Sequence, residues 1–228
     1  MKQIKTLLLI AAIMFTVAAC KKDKYDDTDL QKKIEEQQKR IDELEKQKKA
    51  DETDDGTGST PETENVFLKM KDQVFINYCK ARGFDGGDGI LSPKEAAAVT
   101  YIDLHYKRIT SLAGIEYFTG LTWLDCSENE LTELDVSKNT ALTYLDCWAN
   151  DLTVLDVSKN TALIGFFCSA NNLTSLDLSK NTALAHLECW GNKLTSLDLS
   201  KNIALTQLDC DENKLTSLDL SKNTALAS

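Results

Sequence analysis

The chain is short of basic charge: 26 Lys and Arg stand against 36 Asp and Glu, a net charge of −10. That balance repels a phosphate backbone, so no nucleic-acid partner is expected. It also lacks a long apolar run. The apolar stretch at residues 7–17 has 11 residues, too few to span a bilayer as a helix. Histidine is nearly absent. His105 and His186 sit in no catalytic motif, and both read as surface residues. There is no Gly-rich phosphate loop and no nucleophile elbow, so no enzyme is expected. Cysteine is present in 7 copies, but none forms the close C-x₂₋₄-C pair that marks a zinc site.

What the chain has is repetition. Residues 121–225 hold five copies of a 21-residue unit without insertions, carrying the leucine-rich-repeat signature L-x-x-L-x-C-x-x-N-x-L, with Phe166 in place of the second Leu in the third copy. Numbered from the first Leu, positions 1, 4, 6, 11, 14 and 16 are apolar in every copy. In the second copy these are Leu142, Leu145, Cys147, Leu152, Leu155 and Val157. Positions 3 and 5 flank the inward position 4 and vary, the pattern of a short strand with one buried face. A single copy cannot bury its leucines, whereas stacked copies can. The second half of each copy is too short for a substantial helix and two turns, so extended or 3₁₀ structure is expected there. The fold expected is a parallel-β solenoid of 21-residue coils with little or no helix in the repeats.

Two asparagine columns run through the copies. Asn129, Asn150, Asn171, Asn192 and Asn213 hold position 9; Asn139, Asn160, Asn181, Asn202 and Asn223 hold position 19. Buried amides need partners, so both columns should satisfy backbone groups at turns. The invariant Asp-x-Ser-Lys of positions 15, 17 and 18, led by Asp135, Asp156, Asp177, Asp198 and Asp219, suggests carboxylates bonding turn amides, with Lys relieving the charge. Cys126, Cys147, Cys168, Cys189 and Cys210 fill position 6, where the general pattern has Leu. A buried free thiol acts as a small hydrophobe. Parallel side chains do not aim at each other for disulfides, so a structural ladder is expected.

The cysteine column resembles the cysteine-ladder internalins, leucine-rich-repeat surface proteins of bacteria. The words LTxLDCSxN and LTxLDVSKNTA resemble repeat-bearing surface lipoproteins of the Bacteroidota. The resemblance covers residues 66–228 and implies a right-handed solenoid used for adhesion or binding, without enzymatic activity.

Ahead of the repeats, Lys2 and Lys5, the apolar stretch and then Val17-Ala18-Ala19-Cys20 resemble a lipoprotein signal peptide (1–19) with its lipobox. The resemblance implies a covalent lipid on Cys20 and a bacterial outer-membrane location. The acidic-leaning run at 21–29 resembles the Bacteroidota export signal, which implies a site facing the cell exterior. Residues 20–64 form the tether. Within it, residues 30–48 have heptad spacing through Leu30, Ile34, Gln37, Ile41, Leu44 and Lys48, consistent with either a homo-oligomer seam or a solitary helical spacer. Residues 50–64 read as a flexible linker.

Residues 65–98 read as a helical cap. A helix over 72–82 should turn Val74, Phe75, Tyr78 and Cys79 inward, and a second should start at Ser92-Pro93-Lys94-Glu95, a capping box. The loop between them resembles an EF-hand. Asp85, Asp88 and Glu95 are its candidate ligands, but the loop is one residue short and lacks a third-position carboxylate. Calcium takes 6–8 oxygens, so no bound calcium and no other cofactor is expected. Residues 99–120 read as a divergent first copy with Val99, Ile102, Leu104, Ile109 and Leu112 inward, and 226–228 as a partial one. The last coil should present an apolar edge.

A ligand would meet the outward strand positions. Position 3 carries Trp123, Tyr144, Gly165, His186 and Gln207; position 5 carries Asp125, Asp146, Phe167, Glu188 and Asp209; position 7 carries Ser127, Trp148, Ser169, Trp190 and Asp211. Trp and Tyr are typical hot-spot residues and stacking platforms for sugar rings. The expected face therefore comprises Trp123, Asp125, Tyr144, Asp146, Trp148, Phe167, His186, Glu188 and Trp190. The expected protein is a lipid-anchored surface binder of a protein or glycan; the alternative is a self-associating envelope scaffold or a shortened version of a longer repeat protein.

Overall fold

Every coil lays down one three-residue strand and then returns to start the next. The computed structural model describes residues 64–226, all within one of the two units into which the chain divides, Ser59–Ser228. The expected signal peptide, Cys20, the heptad segment and residues 50–63 of the linker lie outside the described residues. The strands are β1 (Tyr101–Asp103), β2 (Trp123–Asp125), β3 (Tyr144–Asp146), β4 (Gly165–Phe167), β5 (His186–Glu188) and β6 (Gln207–Asp209). They form one parallel six-stranded sheet in sequence order. The register sets equal positions side by side, so Leu124 faces Leu145 and Leu145 faces Phe166. Parallel neighbours need a long return. In the coils after β2 that return contains neither helix nor strand, and a 3₁₀ turn, Ile115–Tyr117, occurs only in the divergent first coil.

The apolar positions meet inside. Leu142, Leu145, Cys147, Leu152 and Val157 are fully buried and Leu155 nearly so. Each such Leu contributes roughly 1.5–3 kcal/mol. Cys126, Cys147, Cys168 and Cys189 are buried and free, and Cys210 is half-buried. The Cys126 thiol donates to the Asp146 carbonyl at 3.3 Å. Burial pushes the thiols of Cys126, Cys147 and Cys168 far up, and that of Cys189 to about 12. Packed this way, the thiols fill the core as small hydrophobes.

The two asparagine columns differ in detail. The Asn150 Nδ2 donates to the carbonyls of Cys126, Cys147 and Trp148 at 3.0, 3.2 and 3.2 Å, and its Oδ1 accepts from Leu131 N at 2.9 Å. Both ends of the amide are used, across two coils. In the return column, Asn160 Nδ2 donates to the carbonyls of Val136 and Asn139, both at 2.9 Å. Its Oδ1 is buried without a partner, as are those of Asn139, Asn181, Asn202 and Asn223. Just before the first column the backbone turns left-handed at position 8: Glu128, Ala149, Ala170, Gly191 and Glu212 all have positive φ.

The cap closes the first coil. Asp72 caps helix α1 (Gln73–Ala81), its Oδ1 accepting from Val74 N and Phe75 N. Its Oδ2 accepts from Thr110 N at 2.9 Å and Thr110 Oγ1 at 3.2 Å, tying helix to solenoid. Phe75 and Cys79 are buried as expected, but Val74 is 40% exposed. It stands in the first turn, beside the Asp72 cap. The Tyr78 hydroxyl accepts from Asp103 N at 3.1 Å, satisfying the free edge of β1. Helix α2 (Pro93–Ala98) begins with the expected capping box. At the other end, Leu208, Leu215 and Leu218 are half-buried and Leu220 is 37% exposed.

Candidate functional site

The outer strand face is built from two side-chain columns whose spacing is set by the sheet. At position 3 the rings stack on one another. Tyr101 and Trp123 lie 6.0 Å apart between centroids, at 23°. Trp123 and Tyr144 are face to face at 3.4 Å and 2°. The column then shifts. Position 3 of β4 is Gly165, and the ring of Phe167, from position 5, leans across it: a Cβ there would stand 3.0 Å from Phe167 Cε2 and 3.1 Å from Tyr144 Cδ2. Phe167 thereby meets Tyr144 at 4.9 Å and His186 edge-on at 4.7 Å. His186 Nε2 lies 3.0 Å from Glu188 Oε1.

This packing corrects two expectations. His186 is 6% exposed and Phe167 9%. Neither is a surface residue; each is covered by neighbours one coil away, which a linear reading does not place. Trp123, Tyr144, Trp148 and Trp190 are half-buried. The ring nitrogens of Trp123 and Trp148 have no hydrogen-bond partner.

Position 5 is a column of carboxylates with a local duty. Asp103 Oδ1 accepts from His105 N, Asp125 Oδ1 from Ser127 N and Ser127 Oγ, and Asp146 Oδ1 from Trp148 N, at 3.1, 2.9, 2.6 and 2.9 Å. Each closes an Asx turn onto position 7. Where Phe167 replaces the Asp, Ser169 Oγ is left buried and unpartnered. Burial pushes the Asp125 carboxyl up to about 6, and the neighbouring Asp103 carboxylate adds to that; the Ser127 bonds and His105 act against it. His105 is half-exposed, with Nδ1 2.7 Å from Asp103 Oδ1. Burial acts to lower its pKa, but the Asp103 carboxylate prevails and holds it above the ordinary value.

The EF-hand-like loop spends its carboxylates on itself. Asp85 Oδ1 accepts from Gly87 N, Asp88 Oδ1 from Ile90 N, and Glu95 Oε2 from Ser92 N and Oγ. Among the described residues, the set of three His, Cys, Asp or Glu ligand atoms that does converge is Asp103, His105 and Asp125, within 4.8 Å of one another. Sequence reading passed over it, although Asp-x-His at alternate strand positions, with an Asp one coil later, was visible. Tyr101, which starts the ring column, was missed for the same reason: the first coil is divergent.

No family model matches the chain. Internalin J of Listeria monocytogenes serotype 4b (strain F2365) is 45% identical over 50 residues, which are 22% of this chain and 6% of that protein. The solved functional domain of InlJ from Listeria monocytogenes, described as including a cysteine ladder, superposes with a TM-score of 0.67 at 40% identity, covering 72% of this chain and 36% of that one. The internalin InlF of Listeria monocytogenes shares the fold at TM-score 0.66 and 21% identity, covering 71% of this chain and 49% of that one. A leucine-rich-repeat protein of Leptospira interrogans does so at 0.54 and 19%, covering 59% of this chain and 36% of that one. The chain thus spans well under half the length of the InlJ domain it matches. The fold is that of an internalin-like leucine-rich-repeat solenoid.

Proposed function

We propose that this internalin-like protein is a lipid-anchored, non-enzymatic binding protein of the bacterial outer membrane, facing the cell exterior, that meets a protein or glycan ligand on its strand face. One observation carries the binding part. No Lys or Arg occupies position 3, 5 or 7 of any of the six coils, while aromatic rings and carboxylates fill most of them. The return side, by contrast, carries Lys in every full copy. The face is preorganised: rings held by stacking lose little freedom when a ligand arrives. Trp148 and Trp190 are the best anchors, half-buried and outside the ring column. Phe167 and His186 act beneath the surface, holding the column in place. The anchor rests on the Cys20 lipobox, since two or more acyl chains hold a protein stably at a membrane. No cofactor is required.

A screen of the chain on glycan and protein arrays identifies the ligand, and the W148A/W190A double variant tests the site. Its circular dichroism should match the parent, while affinity falls at least tenfold, the scale of two lost hot spots. Unchanged affinity sinks the site assignment. Lipid labelling of intact cells that disappears in Cys20→Ser, together with protease shaving, tests the anchor and its orientation.

A further inference from the structure

We propose that Asp103, His105 and Asp125 form a binding site for a divalent cation of the zinc class at the cap end of the strand face. Asp103 and His105 stand two residues apart on one strand path, so both side chains leave the same face. Strand pairing sets Asp125 directly opposite Asp103. Two carboxylates in that relation repel, and among the described residues neither forms an ion pair with a Lys or Arg. The third group is an imidazole, not another carboxylate. That separates this cluster from the aspartate column of the return side, where no such convergence occurs among the described residues.

The geometry is near what a small cation needs. The three ligand atoms lie within 4.8 Å of one another, and His105 Nδ1 is already 2.7 Å from Asp103 Oδ1. Ligands about 2 Å from a zinc ion stand roughly 3 Å apart, so small rotations close the site. Ser127 holds Asp125 Oδ1 from its backbone N and Oγ, at 2.9 and 2.6 Å, which fixes the carboxylate and leaves Oδ2 outside those bonds. Outer hydrogen bonds of this type orient metal ligands. His105 is 40% exposed, so water has access to complete the coordination. One imidazole nitrogen and two carboxylate oxygens suit zinc, cobalt or manganese better than calcium.

The test uses the full chain without a histidine tag, in a Cys210→Ser background that removes the half-buried thiol. Isothermal titration with Zn²⁺ should give one ion per chain, and Co²⁺ should give visible absorption from nitrogen–oxygen coordination. His105→Gln and Asp125→Asn should each weaken binding at least tenfold, with the circular dichroism of both unchanged. Glu95→Gln, in the cap loop, should have no effect. The proposal is overturned if Zn²⁺ does not bind at millimolar concentration, if both variants bind like the parent, if Glu95→Gln abolishes binding, or if Ca²⁺ binds as tightly as Zn²⁺ and is indifferent to His105→Gln.

Discussion

Each side of the first full coil carries an aspartate that closes the same local turn, Asp125 on the strand face and Asp135 on the return, and the two behave in opposite ways. On the strand face, Asp125 accepts from the amide two residues on. On the return side, Asp135, Asp156, Asp177, Asp198 and Asp219 make the same bond to the Ser two residues on. The local turn is identical. Yet burial pushes the Asp125 carboxyl up to about 6, while the Ser137 side chain and amide hold Asp135 below its ordinary value, with Lys138 assisting. The surroundings decide: Asp125 faces Asp103 in a desolvated part of the sheet, whereas Asp135 stands near water beside Lys138.

The contrast is broken most strongly through the asparagines. Asn150→Ala removes four hydrogen bonds on the strand side and should cost about 3 kcal/mol, whereas Asn160→Ala on the return side removes two and should cost about 1–2 kcal/mol. Urea midpoints with unchanged slopes measure both; equal losses would erase the distinction.

Titration gives the next effect. A carboxyl whose folded pKa is raised, as in Asp125, takes stability away as pH rises from about 4 to about 6. Asp177 is held low by the Ser179 amide and hydroxyl, so its contribution is present above its ordinary value of 3.8 and disappears as pH falls below it. With chelator present, Asp125→Asn should therefore raise the melting temperature at pH 7 and leave it unchanged at pH 4. Asp177→Asn should do neither, and should lower stability slightly at neutral pH. Melting curves at the two pH values decide the point.

The smallest effect concerns the turn before the first asparagine column. Gly191 holds the left-handed position with φ +65°, and a Cβ there would lie an ordinary 3.5 Å from Ala170. Gly191→Ala should cost about 1 kcal/mol from backbone strain alone, measured by the same urea series. A larger loss would mean that space, not conformation, selects glycine.

Much of this was legible in the repeat words. The inward Leu and Cys, the strand at positions 3 to 5, the asparagine ladders, the absence of helix on the return side and the capping box at Ser92 all follow from periodicity and local hydrogen-bond chemistry. What was not legible depends on how side chains pack along and across the coils. Phe167 reads as an outward residue until Gly165 leaves a gap for its ring, and His186 reads as exposed until that ring covers it. Asp125 reads as a free contact until Ser127 is seen to hold it. Val74 fits a helical stripe, but the face it falls on has nothing packed against it closely enough to bury it.

The bonds between coils have a further consequence. Asn150 reaches Cys126, Asn171 reaches Cys147 and Asn192 reaches Cys168, each 24 residues back. Excising or duplicating any 21-residue block would therefore rejoin equivalent partners. A gene of this design can be lengthened or trimmed by unequal recombination while these bonds are kept, and each added block would extend the strand face by about 4.8 Å.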